Sequence, residues 1–176
     1  MSRLNSVSIE QATGHTADLY SAIKSQLGGV PNIFLSLGSS PKVLETYLGM
    51  GSALDSLSGS EKESIALVVA QTNACEYCLA AHTLLGKKSG LSDGEVIAAR
   101  KGGAGHLKKD ALVKLAQEIV TKKGNISDQA FNNFLAAGYK ESQVSEVVLC
   151  VAQNIFTNYF NHVNKTEIDF PAAVKI

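Results

Sequence analysis

Apolar residues recur along this chain at intervals of three and four, and that spacing predicts helices almost throughout. In DLYSAIKSQLG, Leu19, Tyr20, Ile23 and Leu27 share one stripe, which Gly28, Gly29 and Pro31 then interrupt. A short helix is expected after that break. Ser40 before Pro41 reads as an N-cap followed by proline at the first helical position, ahead of Val43, Leu44, Tyr47, Leu48, Met50 and Leu54. Ser60 and Glu63 stand in S-x-x-E spacing before the apolar run 65–70, so a capping box and a buried helix are expected there. Gly90 reads as a stop, Ser92 with Glu95 as a second capping box, and Ser127 and Gly138 as the start and end of a later helix. The long segment ESQVSEVVLCVAQNIFTNYFNHV is apolar on most sides and is expected to be a central helix, with EIDFPAAVKI outside the helical body. The fold class that follows is all-α, a compact multi-helix domain.

Composition narrows the picture. A chain of 176 residues fits one domain, taken here as 1–176. Lys plus Arg and Asp plus Glu stand at 16 each, so there is no electrostatic footprint for nucleic acid or for an anionic membrane. Neither an apolar leader nor a run of roughly 18 apolar residues is visible, and the expectation is a soluble, cytoplasmic protein. With 45% hydrophobic and 18% charged residues, the helices carry more apolar surface than one monomer readily hides, and a homo-oligomer is expected. Three cysteines are too few for a disulfide framework, so the close pair among them points to chemistry.

That pair lies in NACEYCLAAH. On a helix, Cys75, Cys78 and His82 fall at i, i+3 and i+7, along one face. Two sulfurs at i and i+3 can approach disulfide geometry. Thr72 or Asn73 would cap the helix, placing Cys75 in its first turn, where unpaired N–H groups stabilise a thiolate and make Cys75 a good leaving group. His82, one turn beyond Cys78, can relay that thiol's proton, which makes Cys78 the base-assisted nucleophile. Each piece also has a plainer reading: the cysteine pair as incidental, the histidine as a core residue, and Glu63 as a cap. Whether Glu63 meets the cysteines depends on the connection at QTNA.

The pattern of Glu63, Cys75, Cys78 and His82 resembles the cysteine-bearing, alkylhydroperoxidase D-like branch of the carboxymuconolactone decarboxylase superfamily. The stretches GGVPNIFLSLGSSPKVLETYL, KSGLSDGEV and VVLCVAQNIFTNYFN extend the resemblance over about residues 15–161. It implies an all-α fold with the Cys-x-x-Cys at a helix N-terminus, thiol peroxidase chemistry without a cofactor, and homo-oligomers such as trimers or hexamers. It also implies that Cys78 attacks a hydroperoxide, that Cys75 resolves it and exchanges with a dithiol or thioredoxin-like reductant, and that His82 and Glu63 relay protons. The best-known members carry histidine between the cysteines. Here that position is Tyr77, a supporting residue whose phenol, with a pKa of about 10, cannot replace an imidazole near neutrality.

Two alternatives stay open: a general disulfide reductase or redox sensor with weak peroxidase activity, and a zinc-binding module built on the same four side chains. A c-type haem is excluded because Leu79, not histidine, follows Cys78. Cys150 reads as a small buried hydrophobe. Asn154, Asn158 and Asn161, with His162 beside them, mark a polar stripe that capping, inter-helix hydrogen bonds or subunit contacts explain as well as substrate binding would. His15 and His106 read as surface residues without partners.

Overall fold

The computed structural model describes residues 2–176. Among the described residues the regular structure is helical: α1 (Gly14–Leu27), α2 (Asn32–Leu37), α3 (Pro41–Ser52), α4 (Gly59–Thr72), α5 (Glu76–Lys88), α6 (Asp93–Arg100), α7 (Leu107–Thr121), α8 (Asp128–Ala136) and α9 (Glu141–Asn164). Several ends lie where the sequence put them. Pro41 opens α3 after Ser40, Ser92 and Glu95 close a reciprocal capping box on α6, and the Ser127 side chain accepts from Ala130 N–H.

The centre differs from expectation. It is α4, buried without a break from Ser64 to Ala70, against which α5, α6, α7 and α9 all pack. The long helix α9 instead runs along two separate apolar clusters. Val147, Cys150 and Val151 join the one built by α4, α7 and Phe134, and Phe160 packs on the one that holds Tyr20, Phe34, Leu44, Cys75 and Cys78. A helix spanning two clusters must be apolar on more than one face, and this accounts for its sequence pattern.

Segments outside the helices are docked on this body. Tyr20 Oη lies within hydrogen-bond reach of the carbonyls of Val7, Phe34 and Leu35, tying the N-terminal segment to α1 and α2. A Cβ at Gly38 would stand 1.8 Å from that hydroxyl oxygen, so only glycine lets the chain pass. The C-terminal tail lies outside the helical body but is held to it. Asp169 Oδ2 accepts from Asn32 N–H at 2.8 Å, Phe170 meets Tyr77 edge to face, and Arg100 donates to the carbonyl of Val174 at 2.6 Å. No helix among the described residues is long and apolar enough to cross a membrane.

Candidate active site

The chain turns from α4 into α5 through Asn73, Ala74 and Cys75. Ala74 takes a left-handed backbone conformation, φ 53°, and the bend makes Cys75 itself the N-cap of α5. This corrects the expectation that Thr72 or Asn73 caps the helix. Cys75 Sγ accepts from Cys78 N–H at 3.4 Å, as a capping serine oxygen would, and Cys78 occupies the third helical position. Cys75 and Cys78 are 1% and 2% exposed, and both are free thiols.

The two thiols have opposite electrostatics. The hydrogen bond that Cys75 donates holds Cys78 well below the ordinary thiol range, against the burial that opposes charge; the positive charge of His82 and the amides of Asn161 and Asn158 add to the pull. Cys75, as the donor in that bond and deeply buried, is pushed up. The thiolate therefore belongs to Cys78. The expectation of a Cys75 thiolate stabilised by the helix start is reversed: its side-chain bond to Cys78 and its burial push Cys75 up by more than the Cys78 N–H pulls it down.

Glu63 and His82 meet, Oε2 to Nδ1, at 2.8 Å, with 17% and 18% of their side-chain surface exposed. The helices α4 and α5 form an antiparallel pair, so Glu63 lies opposite the middle of α5 rather than beside the cysteines. Burial alone would lower His82; the charge and hydrogen bond of Glu63, with the Cys78 thiolate, reverse this and raise it. Glu63 is not a cap. The capping box of α4 is Ser58 with Glu61, whose side chain also accepts from Tyr139 Oη at 2.6 Å. The register is two residues earlier than expected, and Glu63 is left free for His82.

Tyr77 lies within the second cluster. Its hydroxyl accepts from Ile33 N–H at 3.3 Å, and burial together with its bond to Asp169 pushes its pKa up. It serves as a neutral wall residue. A cavity of about 70 Å³ adjoins Cys78 and His82 and is lined by Pro31, Phe34, Tyr47, Tyr77, Asn161 and Phe170 among others. A larger concavity, about 750 Å³ between α7 and α8, contains none of these residues. Among the described residues no group of three His, Cys, Asp or Glu side chains is arranged to hold a metal ion.

Sequence reasoning left Asn161 without a role. Its Nδ2 donates to Cys78 Sγ at 3.3 Å, and Asn158 Oδ1 accepts from Asn73 Nδ2 at 2.9 Å, linking α9 to the cysteine turn. The signal was present: amides at i and i+3 inside an apolar helix need partners. Tyr47 and the tail residue Phe170 gave no such signal. Cys150 is 2% exposed and pushed up to about 12, chiefly by burial, as a small hydrophobe would be. His106 is exposed as expected, whereas His15 has a partner in Glu45 at 3.2 Å.

Fold and site together define an all-α protein with a buried dithiol at a helix start and an acid–imidazole pair one turn away. The sequence model of the carboxymuconolactone decarboxylase family matches residues 41–119, which span α3 to α7 and all four residues of the motif. Over those residues the chain is similar to that family, and its fold is that of the alkylhydroperoxidase AhpD core. An uncharacterized peroxidase-related protein with that core, from Ralstonia eutropha JMP134, superposes with TM-score 0.86 at 16% identity, over 96% of this chain and 92% of that one. A second peroxidase-related protein, from Silicibacter sp. TM1040, gives 0.79 at 17% identity, over 95% and 94%. The debrominase Bmp8 in its apo form gives 0.81 at 18% identity, over 95% and 92%. No curated protein matches the sequence.

Proposed function

We propose that this protein is a cofactor-independent thiol peroxidase that reduces hydroperoxides through Cys78 and Cys75, in an antioxidant role. The observation that carries the reading is the setting of the Cys78 sulfur, which accepts from Asn161 Nδ2 at 3.3 Å beside Cys75 and the Glu63–His82 pair, surroundings that lower its pKa. The thiolate attacks the terminal oxygen of R–O–O–H. An S–O bond forms, the O–O bond breaks, and the leaving RO⁻ takes a proton from His82, which Glu63 orients. Cys78 is then a sulfenic acid. The Cys75 sulfur attacks it, a disulfide forms, and the Cys75 proton leaves with hydroxide as water. A dithiol donor, of thioredoxin-like type, returns two electrons and two protons.

A cavity of about 70 Å³ beside Cys78 and His82 suits a small hydroperoxide head. The aromatic wall and the likeness to Bmp8, of which one variant was crystallised with 2,3,4-tribromopyrrole, support a second reading. In it, Cys78 sulfur takes bromine, the ring carbon takes a proton, and Cys75 displaces bromide to close the disulfide. Stopped-flow mixing of pre-reduced protein with hydrogen peroxide and with an organic hydroperoxide tests the first; bromide release from a brominated pyrrole tests the second. No rate above free thiol with either hydroperoxide sinks the peroxidase reading.

Assembly is part of the proposal. Val148, Phe156, Tyr159 and Val163 leave an exposed apolar stripe along α9, and the Phe156 ring lies tilted against Tyr47 of the cavity wall. A homo-oligomer, trimer or hexamer, would cover it. Light scattering that returned 18.6 kDa across concentrations would remove this part.

A further inference from the structure

The last turns of α9 carry four buried asparagines or near neighbours of the site, and they are not alike. Asn164 is fully used by the protein: its Nδ2 donates to Ser36 Oγ and Thr166 Oγ1, and its Oδ1 accepts from Leu4 N–H. Asn154 donates to the Cys150 carbonyl. Asn158 and Asn161, fully buried and 4% exposed, each spend one end only. Asn158 Oδ1 takes Asn73 and Asn161 Nδ2 takes Cys78, while Asn158 Nδ2 and Asn161 Oδ1 have no hydrogen-bond partner. The Asn158 amide faces the Cys78 sulfur, whose charge it supports, and Asn158 does not line the cavity; the unmet acceptor, Asn161 Oδ1, belongs to a residue that lines the cavity together with Cys78.

Leaving the Asn161 oxygen unpaired in a buried place is costly, and native structures rarely do so without use. A hydroperoxide's terminal oxygen carries a proton that needs an acceptor. We propose that Asn161 forms the seat for the peroxide oxygen that Cys78 attacks: its Oδ1 accepts from the peroxide O–H. The inference rests on the peroxidase reading and adds the residue that orients the substrate. The seat serves both ends of the step. When the S–O bond forms and the O–O bond breaks, the same oxygen, still bearing its proton, becomes that of the sulfenic acid. The leaving RO⁻ departs on the other side, toward the proton on His82. Asn161 thereby acts twice, holding the nucleophile by its nitrogen and the electrophile by its oxygen, which fixes the line of attack.

The test separates these two actions. Asn161→Leu keeps the volume and removes both ends, and Asn161→Ala serves if the leucine variant does not fold. For each, ultraviolet thiolate absorbance gives the Cys78 titration, and rates with hydrogen peroxide and with iodoacetamide are compared at a pH where both proteins are fully ionised. Loss of the seat predicts a fall of about tenfold or more for hydrogen peroxide and of at most about twofold for iodoacetamide, which presents no O–H. Parallel losses for both reagents, or none for either, would overturn the seat while leaving Cys78 as the nucleophile. Wild-type protein that alkylates rapidly and ignores peroxide would sink the peroxidase reading and the seat with it. A crystal structure of Cys75→Ser protein after one equivalent of hydrogen peroxide decides independently of any Asn161 variant. The sulfenic oxygen is expected within hydrogen-bond distance of Asn161 Oδ1, and an oxygen directed toward His82 instead would refute the assignment.

Discussion

Cys78 and Cys150 are each 2% exposed, and each has an asparagine of α9 beside its sulfur, yet one is held as a thiolate and the other is pushed up to about 12. Burial therefore does not set reactivity. At Cys150 the amide of Asn154 stands 3.8 Å away, the surroundings are aliphatic, and desolvation prevails. At Cys78 a capping cysteine, an imidazolium and an amide at 3.3 Å converge on one sulfur at a helix start, and together they overcome the same desolvation. The lesson is that donors and opposite charge, supplied by three groups at once, turn a buried thiol into a nucleophile.

The widest separation is expected from serine replacements. Cys78→Ser should reduce peroxide consumption to background, whereas Cys150→Ser should leave it unchanged. Peroxide-loss kinetics on both proteins check this, with alkylation followed by peptide mapping to show Cys150 unlabelled until the chain is unfolded. Equal losses would erase the distinction.

Next comes the charge that sets the two apart. His82→Ala should slow attack by about a hundredfold near neutral pH, since proton donation is worth roughly that much. The pH profile carries the diagnosis. Cys78, lowered, gives a rising limb below the ordinary thiol value of about 8.5, and His82, raised, gives a falling limb above about 6.5. His82→Ala should shift the rising limb upward and abolish the falling one; Glu63→Gln should bring the falling limb to lower pH. Stability follows the same signs. The Cys78 contribution is present above its unfolded pKa and is lost as pH falls through the lowered folded value. That of His82 is present below its unfolded pKa and is lost as pH rises through the raised one. Urea unfolding across that range in wild type and His82→Ala measures both.

How far this contrast was legible in sequence depends on the kind of interaction. Helical spacing placed Cys75, Cys78 and His82 on one face, and local caps at Ser92 and Ser127 were readable because a cap involves residues three apart. The segment SGSEKES holds two overlapping S-x-x-E pairs, Ser58 with Glu61 and Ser60 with Glu63, and local pattern cannot choose between them. Tertiary contacts choose: Glu61 also binds Tyr139, 78 positions away, and Glu63 faces His82. Asn161 was visible as polar but not as the donor to Cys78, since periodicity gives a residue's face and not what lies opposite. The roles of Phe170 and Asp169 rest on a tail folding back across α2 and α5, which no local rule encodes.

Moderate effects on stability separate the two glutamates. Glu61→Ala removes one arm of the capping box and the acceptor of Tyr139, and should cost about 1 kcal/mol without changing peroxide kinetics. Glu63→Gln should slow attack, and should cost stability only at pH below the raised His82 pKa, where the ion pair it removes is formed. Chemical denaturation and stopped-flow measurements on both variants check the exchange of roles.

The smallest effect probes the turn that gives Cys78 its place and that Cys150, in mid-helix, lacks. Ala74 stands at φ 53°, where its Cβ crowds the backbone, and glycine would relieve that crowding while adding freedom to the unfolded chain. The two effects oppose each other, and relief is the larger, so Ala74→Gly should stabilise the fold by about 0.5 kcal/mol. The capping bond from Cys78 N–H to Cys75 Sγ depends on the direction of the chain at residue 74, and glycine can keep that direction. The Cys78 titration, read by thiolate absorbance, should therefore not move. A midpoint that rose toward the ordinary thiol value in Ala74→Gly would mean that rigidity of the turn, and not only the donors around the sulfur, holds the thiolate.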